Sequence, residues 1–342
     1  EILRAHLKGV KAALNYIEPT AAFGRVGKGG YSRERVELAV AAYLHLASRL
    51  GDCQVHTHAV LMNAGVTADG RTIALDSLPL YLAKMTAGAV YQATVANELG
   101  KLGVRTEATK THKGRFLGTF EVPGVPVPVR ETFSKRRTAI EQALKSKGRS
   151  SAAAAEVANL DTRPRKEQLP SREEMFAGWA AEAARLGFTA EQARSLFTEP
   201  RRTVDELEVT RQALEAAKCE LTSSSSSFTE QELFRATVVR TIGQGVEPSF
   251  VERVVHLHLE TSADIIHLGG FRAAQHYTTE DVWNVERVLL ECAQKLAERP
   301  WVGLREETVE RFVEKLYRPD PRKPGFHLKP EQKEAVRHLT EA

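Results

Sequence analysis

The feature that most constrains the fold is an apolar, partly alternating run at residues 53–64 (CQVHTHAVLMNA), followed by a turn signal at residues 68–71 (ADGR). A second short run, residues 71–76 (RTIALD), comes directly after the turn. Two such runs around an Asp-Gly pair predict an antiparallel β-hairpin. Stretches with apolar residues three and four positions apart surround the hairpin and indicate helices. We therefore predict an α+β protein with an antiparallel sheet flanked by helices.

The rest of the first half divides by helical periodicity and by its turn residues. Helices are predicted at residues 1–18, 32–50, 78–102, 131–147, 171–186 and 190–197. Two short strands are predicted at residues 104–109 and 115–122, on either side of a basic turn. Pro19, Gly51 and Gly103 are each placed where a helix should end.

Three histidines have a spacing that suits metal binding. His56 and His58 are two residues apart on the predicted strand, so their imidazoles point to the same face. His45 lies on the predicted helix 32–50, which the turn at residues 51–52 would fold back over the strand. Three neutral imidazoles at one point would hold a divalent metal ion with open positions for a substrate. The alternative is that all three are ordinary strand and core residues, and spacing alone leaves it open.

Charge is unevenly distributed along the chain. The formal net charge is only +4, yet residues 101–150 contain 12 Lys or Arg and 4 Asp or Glu. A basic block in a nearly neutral protein suggests a polyanion partner, and nucleic acid is the commonest one. A solvated helix and hairpin surface would look the same on charge alone.

Composition excludes several other classes of protein. At 342 residues, with 42% hydrophobic residues, the chain is long enough for two domains and a piece of a third. No apolar stretch is long enough to span a bilayer and no signal peptide opens the sequence, so we expect a cytoplasmic protein without membrane insertion. Its three cysteines form no CxxC pair, which argues against disulfides and thiolate metal sites.

Several segments together resemble TrwC/TraI-type conjugative relaxases, the MobF family. The segment at residues 43–76 carries a histidine, then His-Thr-His eleven residues later, then a hairpin with Asp-Gly and Ala-Leu-Asp. The resemblance continues through KMTAGAVYQATVANELGKLGV (84–104), ETFSKRR (131–137) and TRPRKEQLPSREEMFAGWAAEAARLGF (162–188). The order and combination of these segments make chance similarity improbable.

The resemblance implies a fold, an activity and a set of site residues. It implies an antiparallel palm sheet of the HUH type and a nick in one strand of plasmid DNA at an origin of transfer, made by a tyrosine that stays joined to the 5′ end. It implies that His45, His56 and His58 hold a divalent metal ion, Mg²⁺, Mn²⁺ or Zn²⁺, that polarises the phosphate. The partners would be single-stranded or hairpin DNA and other conjugation proteins. Plausible phosphate contacts are Lys84, Arg115, Lys135, Arg136 and Arg137.

The sequence departs from the family pattern at the nucleophile. In the family, the tyrosine and an assisting aspartate precede the helix that residues 1–18 resemble, and this chain begins at Glu1. Tyr16 matches a non-catalytic segment, and Tyr31 lies in a glycine-rich loop. We therefore expect the chain to have an N-terminally incomplete palm, to bind metal and DNA, and not to nick by itself.

The second half is predicted as a bridge to a helicase. We divide the chain into an incomplete relaxase domain at 1–200, a linker at 201–227 that includes the serine run, a winged-helix-like module at 228–325, and the start of a superfamily 1 helicase at 326–342. In that last segment Gln332 resembles the glutamine that contacts adenine. No GxxxxGK[ST] sequence occurs, so ATP hydrolysis is not expected.

Two other functions stay open from the sequence. One is a shortened protein that binds DNA without cutting it. The other is an unrelated tri-histidine hydrolase acting on small molecules, although the basic block counts against it.

Overall fold

The structure is a computed structural model. It describes residues 1–30, 32–146, 157, 170–198, 204–271, 274–298, 307–311, 331–332 and 334. The chain separates into two compact units, Glu1–Glu280 and Asp281–Ala342. The candidate site and its surroundings all lie in the first unit.

The first unit alternates helices with short antiparallel strands. Its first part contains α1 (Ile2–Ala21), β1 (Phe23–Val26), β2 (Ser32–Arg35), β3 (Glu37–Ala47), β4 (Cys53–Val66), β5 (Thr72–Ile73), α2 (Ser77–Lys101), β6 (Glu107–Lys110), β7 (Phe116–Glu121), α3 (Val127–Thr132), α4 (Lys135–Ser146), α5 (Arg172–Arg185) and α6 (Ala190–Ser195). Its second part contains α7 (Glu206–Thr222), β8 (Phe228–Thr229), α8 (Glu230–Thr241), α9 (Pro248–Thr261), β9 (Ile265–Phe271) and β10 (Ala274–Thr279). The α+β class is confirmed.

The central sheet has the strand order β3-β4-β5, and both pairs are antiparallel. The predicted hairpin is confirmed, since β4 turns into β5 with Gly65 opposite Ile73. The predicted helix at residues 32–50 is wrong, because this segment forms β2 and β3. Its Ala and Leu residues suit either structure, and the long pairing of β3 with β4 decides for the strand.

Helix α2 begins at a strong N-terminal cap. The Asp76 carboxylate accepts a hydrogen bond from the backbone N–H of Leu78. Arg25 and Arg33 also reach this buried carboxylate, at 3.1 and 2.7 Å. Burial alone would raise the pKa of Asp76, but these hydrogen bonds outweigh it and lower the pKa. The cap therefore also connects α2 to the β1–β2 hairpin.

The second part has the element order of a winged helix. Helix α7 precedes β8, then α8 and α9 follow, and β9 and β10 close a three-stranded sheet of order β8-β10-β9. Helix α7 lies within the predicted linker, 201–227, and buries Leu214 and Ala217, while the limits of that linker stay a prediction. The serine run is only the connection between α7 and β8. The limits of the first domain, 1–200, and of the module, 228–325, stay predictions.

One hydrophobic core runs through both parts of the first unit. Its buried members come from α1, α2, α7, α8, α9 and the segments beside them, and include Tyr16, Val90, Leu214, Phe234 and Val255. Burial of such side chains away from water is the main stabilising contribution to a fold. The module is therefore part of the same core as α1 and α2.

The second unit begins at Asp281 and is described by the rest of α10 (Glu280–Ala297) and a few residues beyond it. The predicted helicase segment 326–342 lies outside the described residues except at 331, 332 and 334, where Gln332 is helical and exposed. In the part of the chain that the structure describes, no helix is both long and apolar enough to cross a membrane.

Candidate metal centre and nucleic-acid interface

The register of β3 against β4 brings the three histidines together. His45 lies directly opposite His56, and His58 is two residues further along β4, opposite Tyr43. Directly opposed residues of an antiparallel pair share a face, so all four side chains lie on the same face of the sheet. His45 reaches this face from a strand and not from the predicted helix.

The three imidazole rings lie at similar distances from one another. The ring centroids are 5.3 Å apart for His45 and His56, 4.9 Å for His45 and His58, and 5.1 Å for His56 and His58. With metal–nitrogen bonds of about 2.1 Å, imidazoles at right or tetrahedral angles around one ion would have centroids about 4.6 to 5.3 Å apart. The ring spacing is that of a tri-histidine metal site.

The imidazole nitrogens of the three histidines do not all point to one position in this arrangement. Among the residues that the structure describes, no group of three or more His, Cys, Asp or Glu side chains forms a metal-binding set. The three residues therefore fit a metal ion in donor chemistry and in ring spacing, and side-chain rotation would have to bring their nitrogens to one point.

A backbone contact assigns the roles of the two nitrogens of His56. Its Nδ1 lies 3.0 Å from the carbonyl oxygen of Gln54, so Nδ1–H donates to that oxygen. The lone pair is then on Nε2, which is the nitrogen available to a metal ion. The strand itself orients the His56 ring in this way, because the accepting oxygen belongs to the backbone of Gln54, two residues earlier on β4.

Behind the sheet, a buried histidine supports the strand between the two ligand candidates. His6 of α1 is 4% exposed, and its Nε2 lies 2.7 Å from the Thr57 hydroxyl while its Nδ1 lies 2.8 Å from the Tyr91 hydroxyl. Burial lowers the pKa of His6, and nearby His56 lowers it further. The sequence analysis missed His6. Ala5 and Gly9 lie near His6 on α1, and such small residues indicate a helix face that packs closely against another element.

The predicted phosphate contacts fall into two groups. Lys84 of α2 and Arg115 of the β6–β7 turn line one cleft. Lys135 begins α4 and lies 3.2 Å from Asp52, a 2% exposed carboxylate in the β3–β4 turn. Arg136 and Arg137 follow on α4, and Arg137 pairs with Glu141 at 2.7 Å. Lys135, Arg136 and Arg137 are not among the residues that line the cleft of Lys84 and Arg115.

The tyrosines differ sharply in their surroundings. Tyr16 is 8% exposed and packs against Phe234 with ring centroids 5.5 Å apart, and burial raises its pKa to about 12. A buried phenol with that pKa is a poor nucleophile. Tyr31 lies outside the described residues. Tyr43 is 58% exposed and lies on the histidine face.

Comparison with known proteins matches the segment that holds this site. The model of the TrwC relaxase family matches residues 1–186. No curated protein matches the chain. Similar solved structures include conjugative relaxase TrwC with OriT DNA in metal-free, copper-bound and metal-bound forms, each at 31% sequence identity. Each match covers 55% of this chain, with TM-scores of 0.49, 0.49 and 0.48.

The chain spans 66%, 63% and 64% of those three solved relatives, which is just under two thirds of their length. A further TrwC structure, at 31% identity, contains a 27-mer DNA with the recognition hairpin and the cleavage site. The family model covers more than half of this chain and includes all three clustered histidines. The protein therefore belongs to the TrwC relaxase family.

Proposed function

We propose that this chain is the metal-binding and DNA-binding part of a conjugative relaxase that acts on single-stranded or hairpin DNA at an origin of transfer. The main support for this proposal is the cluster of His45, His56 and His58 on one sheet face, with ring centroids 4.9–5.3 Å apart. Membership of the TrwC relaxase family supports this proposal. Solved TrwC structures are complexes with OriT DNA, and some of them contain metal.

The donor set favours some metals over others. Three neutral imidazoles suit Zn²⁺ or Cu²⁺, whereas Mg²⁺ and Mn²⁺ prefer carboxylate and water oxygens. A bound divalent ion at this position would act as a Lewis acid on a phosphate oxygen. The protein's own part is to orient the imidazoles, through the Gln54 carbonyl at His56 and through the β3–β4 pairing at His45.

The basic residues would hold the DNA backbone. Lys84 and Arg115 are exposed and lie at the same cleft, where they can contact phosphates without a change of fold. The Lys135 side chain is half exposed and already paired with buried Asp52, so its main effect is on the β3–β4 turn. That turn is also fixed by Trp179, whose Nε1–H donates to the Gly51 carbonyl oxygen at 2.8 Å.

We also propose that these 342 residues do not cleave DNA by themselves. The burial of Tyr16 supports this proposal, because a phenol held away from solvent is poorly placed to attack a phosphate. Tyr43 is the described tyrosine on the histidine face, and it takes no part in the proposed reaction. In this view, cleavage requires a tyrosine from another segment or another chain.

Metal binding is the first test. Calorimetric titration of the metal-free protein with Zn²⁺ should show one site, and changing His45, His56 or His58 to Ala should lower the affinity by more than about 100-fold, because removing a ligand has a larger effect than removing a supporting contact. His112→Ala, which removes an exposed histidine from the β6–β7 turn, is the matched control and should bind normally. Equal binding by all four variants would overturn the proposed site.

DNA cleavage is the second test. Incubation with Zn²⁺ or Mn²⁺ and a labelled hairpin oligonucleotide should give salt-sensitive binding without a covalent adduct. An adduct that disappears in Tyr43→Phe would show that the chain carries its own nucleophile and would overturn that part of the proposal.

A further inference from the structure

A basic cleft of about 640 Å³ lies where the winged-helix part meets α2. We use the name "basic cleft" for the groove between α2, the β6–β7 hairpin, α8 and the end of α7. Both parts of the first unit line it, with Lys84 and Gly88 from α2 and Arg235 and Arg240 from α8. The groove therefore exists only when the two parts are packed together.

Positive charge dominates the basic cleft. Its lining contains four cations, Lys84, Arg115, Arg235 and Arg240, and one carboxylate, Glu220. The Glu220 carboxylate pairs with Arg240 and lies 3.6 Å from Arg115. Arg235 is half buried, and it has no hydrogen-bond or ion-pair partner within the described ranges. A half-buried guanidinium without a counter-charge fits an anionic ligand.

Apolar surface lies between the cations. Phe116 has the Lys110 ammonium 4.3 Å from its ring centroid and the Arg240 guanidinium at 5.4 Å. Met85 and Leu117 line the same groove and are 57% and 58% exposed. Cations alternating with aromatic and apolar side chains are typical of grooves that hold a single strand, because phosphates and base faces need both kinds of contact.

The usual DNA-reading helix of a winged helix is unsuited to nucleic acid here. In helix-turn-helix proteins the second helix of the motif enters the major groove. That helix is α9, and its exposed side chains include Glu252, Glu260 and Arg253, while its exposed His256 is already paired with Glu230 and Glu260. The cations Arg235 and Arg240 are instead on α8, at the basic cleft. The positions of these charges therefore favour binding of nucleic acid at the basic cleft and not along α9.

We propose that the basic cleft binds one strand of nucleic acid, with Arg235, Arg240 and Arg115 on its phosphates and with Phe116, Leu117 and Met85 against its bases. The inference deepens the proposed function and rests on it, because the strand held here is the DNA on which the relaxase part acts. The winged-helix part then extends the DNA path through α8.

Gly88 offers a way to block the cleft without disturbing the fold. A Cβ atom placed at Gly88 meets no other atom within 4 Å, and the same is true of Gly100 on the same helix. Gly88→Glu puts a negative charge into the groove, and Gly100→Glu puts the same charge elsewhere on α2. Arg235→Glu has a similar matched control in Arg211→Glu, an exposed residue of α7 outside the groove.

The test is binding of the full chain to a fluorescent oligo-dT by anisotropy at several salt concentrations. Gly88→Glu and Arg235→Glu should lower the affinity about tenfold and reduce the salt slope by about 0.7 for each phosphate that the cleft no longer holds. Gly100→Glu and Arg211→Glu should bind like the wild type. Equal affinities for all five proteins would overturn the inference while leaving the proposed function intact. Failure of the wild type to bind any oligonucleotide would overturn both.

A gain of binding provides the complementary test. Glu220→Gln removes the carboxylate that competes for Arg115 and Arg240, so oligo-dT should bind several-fold more tightly and with a steeper salt slope. Competition with dTMP at matched phosphate content should have little effect, since a mononucleotide can occupy only a small part of the cleft. Displacement of the oligonucleotide by dTMP would show a nucleotide pocket and would overturn the strand assignment.

Discussion

At the scale of single residues, the most unusual group is a lysine buried in the winged-helix part. Lys218 of α7 is 4% exposed, and its ammonium lies 2.5 Å from Asp264, 2.9 Å from Glu215 and 3.3 Å from Nε2 of His258. Burial opposes its charged form, but the hydrogen bonds to the two carboxylates outweigh this effect and raise the pKa of Lys218. The charged lysine requires a neutral His258 that accepts its hydrogen bond.

This cluster predicts a pH dependence of stability. Burial, and then the Lys218 charge, lower the pKa of His258 below its ordinary 6.5. The unfolded chain therefore binds a proton at His258 more readily, and stability falls as the pH drops through and below 6.5. Between about pH 7.5 and 5.5 the wild type should lose more unfolding free energy than His258→Gln. Urea denaturation with a chelator present measures both, and equal losses would contradict the prediction.

At the scale of elements, two glycines differ in how closely the neighbouring elements pack against them. A Cβ atom at Gly65 of β4 would lie 2.4 Å from Val36 Cγ2 and 2.7 Å from Val36 Cβ. The same atom at Gly88 of α2 would meet open space. Val36, between β2 and β3, can therefore lie this close to β4 only because Gly65 has no side chain.

The same substitution should have opposite effects at these two sites. Gly65→Ala should destabilise the protein by about 1 to 3 kcal/mol, because overpacking forces the backbone to shift. Gly88→Ala should stabilise it by about 0.5 to 1 kcal/mol, because alanine lowers the entropy cost of forming a helix. Chemical denaturation of the two variants measures the difference. A stabilising effect of Gly65→Ala would show that Val36 and Gly65 are further apart than described.

At the scale of the whole molecule, the first unit has a core that crosses the predicted domain boundary. Phe234 of α8 is 4% exposed and packs against Tyr16 of α1. The amide of Gln231 donates to the Leu82 carbonyl oxygen at 3.0 Å, and Lys101 pairs with Glu247 at 2.7 Å. These contacts join α1 and α2 to the winged-helix part.

Because the core is shared, the two parts should unfold together. Phe234→Ala should cost about 3 to 5 kcal/mol and should lower hydrogen-exchange protection in α1, α2 and α8 to a similar extent. Phe197→Ala, at a 38% exposed position after α6, is the matched control and should have a small effect. Loss of protection in α8 alone would show that the relaxase part and the winged-helix part are separate folding units.

Local pattern determined a large part of this protein in advance. The β4–β5 hairpin, α2 and the β6–β7 hairpin were all predicted from alternation, helical periodicity or turn residues, and they are confirmed. The common face of His56 and His58 follows from the two-residue period of a strand. Each of these features depends on residues close together in the chain, so the sequence contains the necessary information.

Tertiary contacts decided what local pattern left ambiguous. The Ala- and Leu-rich segment that became β3 is compatible with a helix, and only its pairing with β4 makes it a strand and turns His45 toward the other histidines. The serine run at residues 223–227 suggested a linker, whereas the helix before it, α7, packs against α8 and α9 and buries Leu214 and Ala217. Neighbours such as His6 and Thr57, or Tyr16 and Phe234 in the core, are far apart in sequence. Residue spacing cannot predict such pairs, because the free energy that joins them comes from burial and hydrogen bonds in the folded chain.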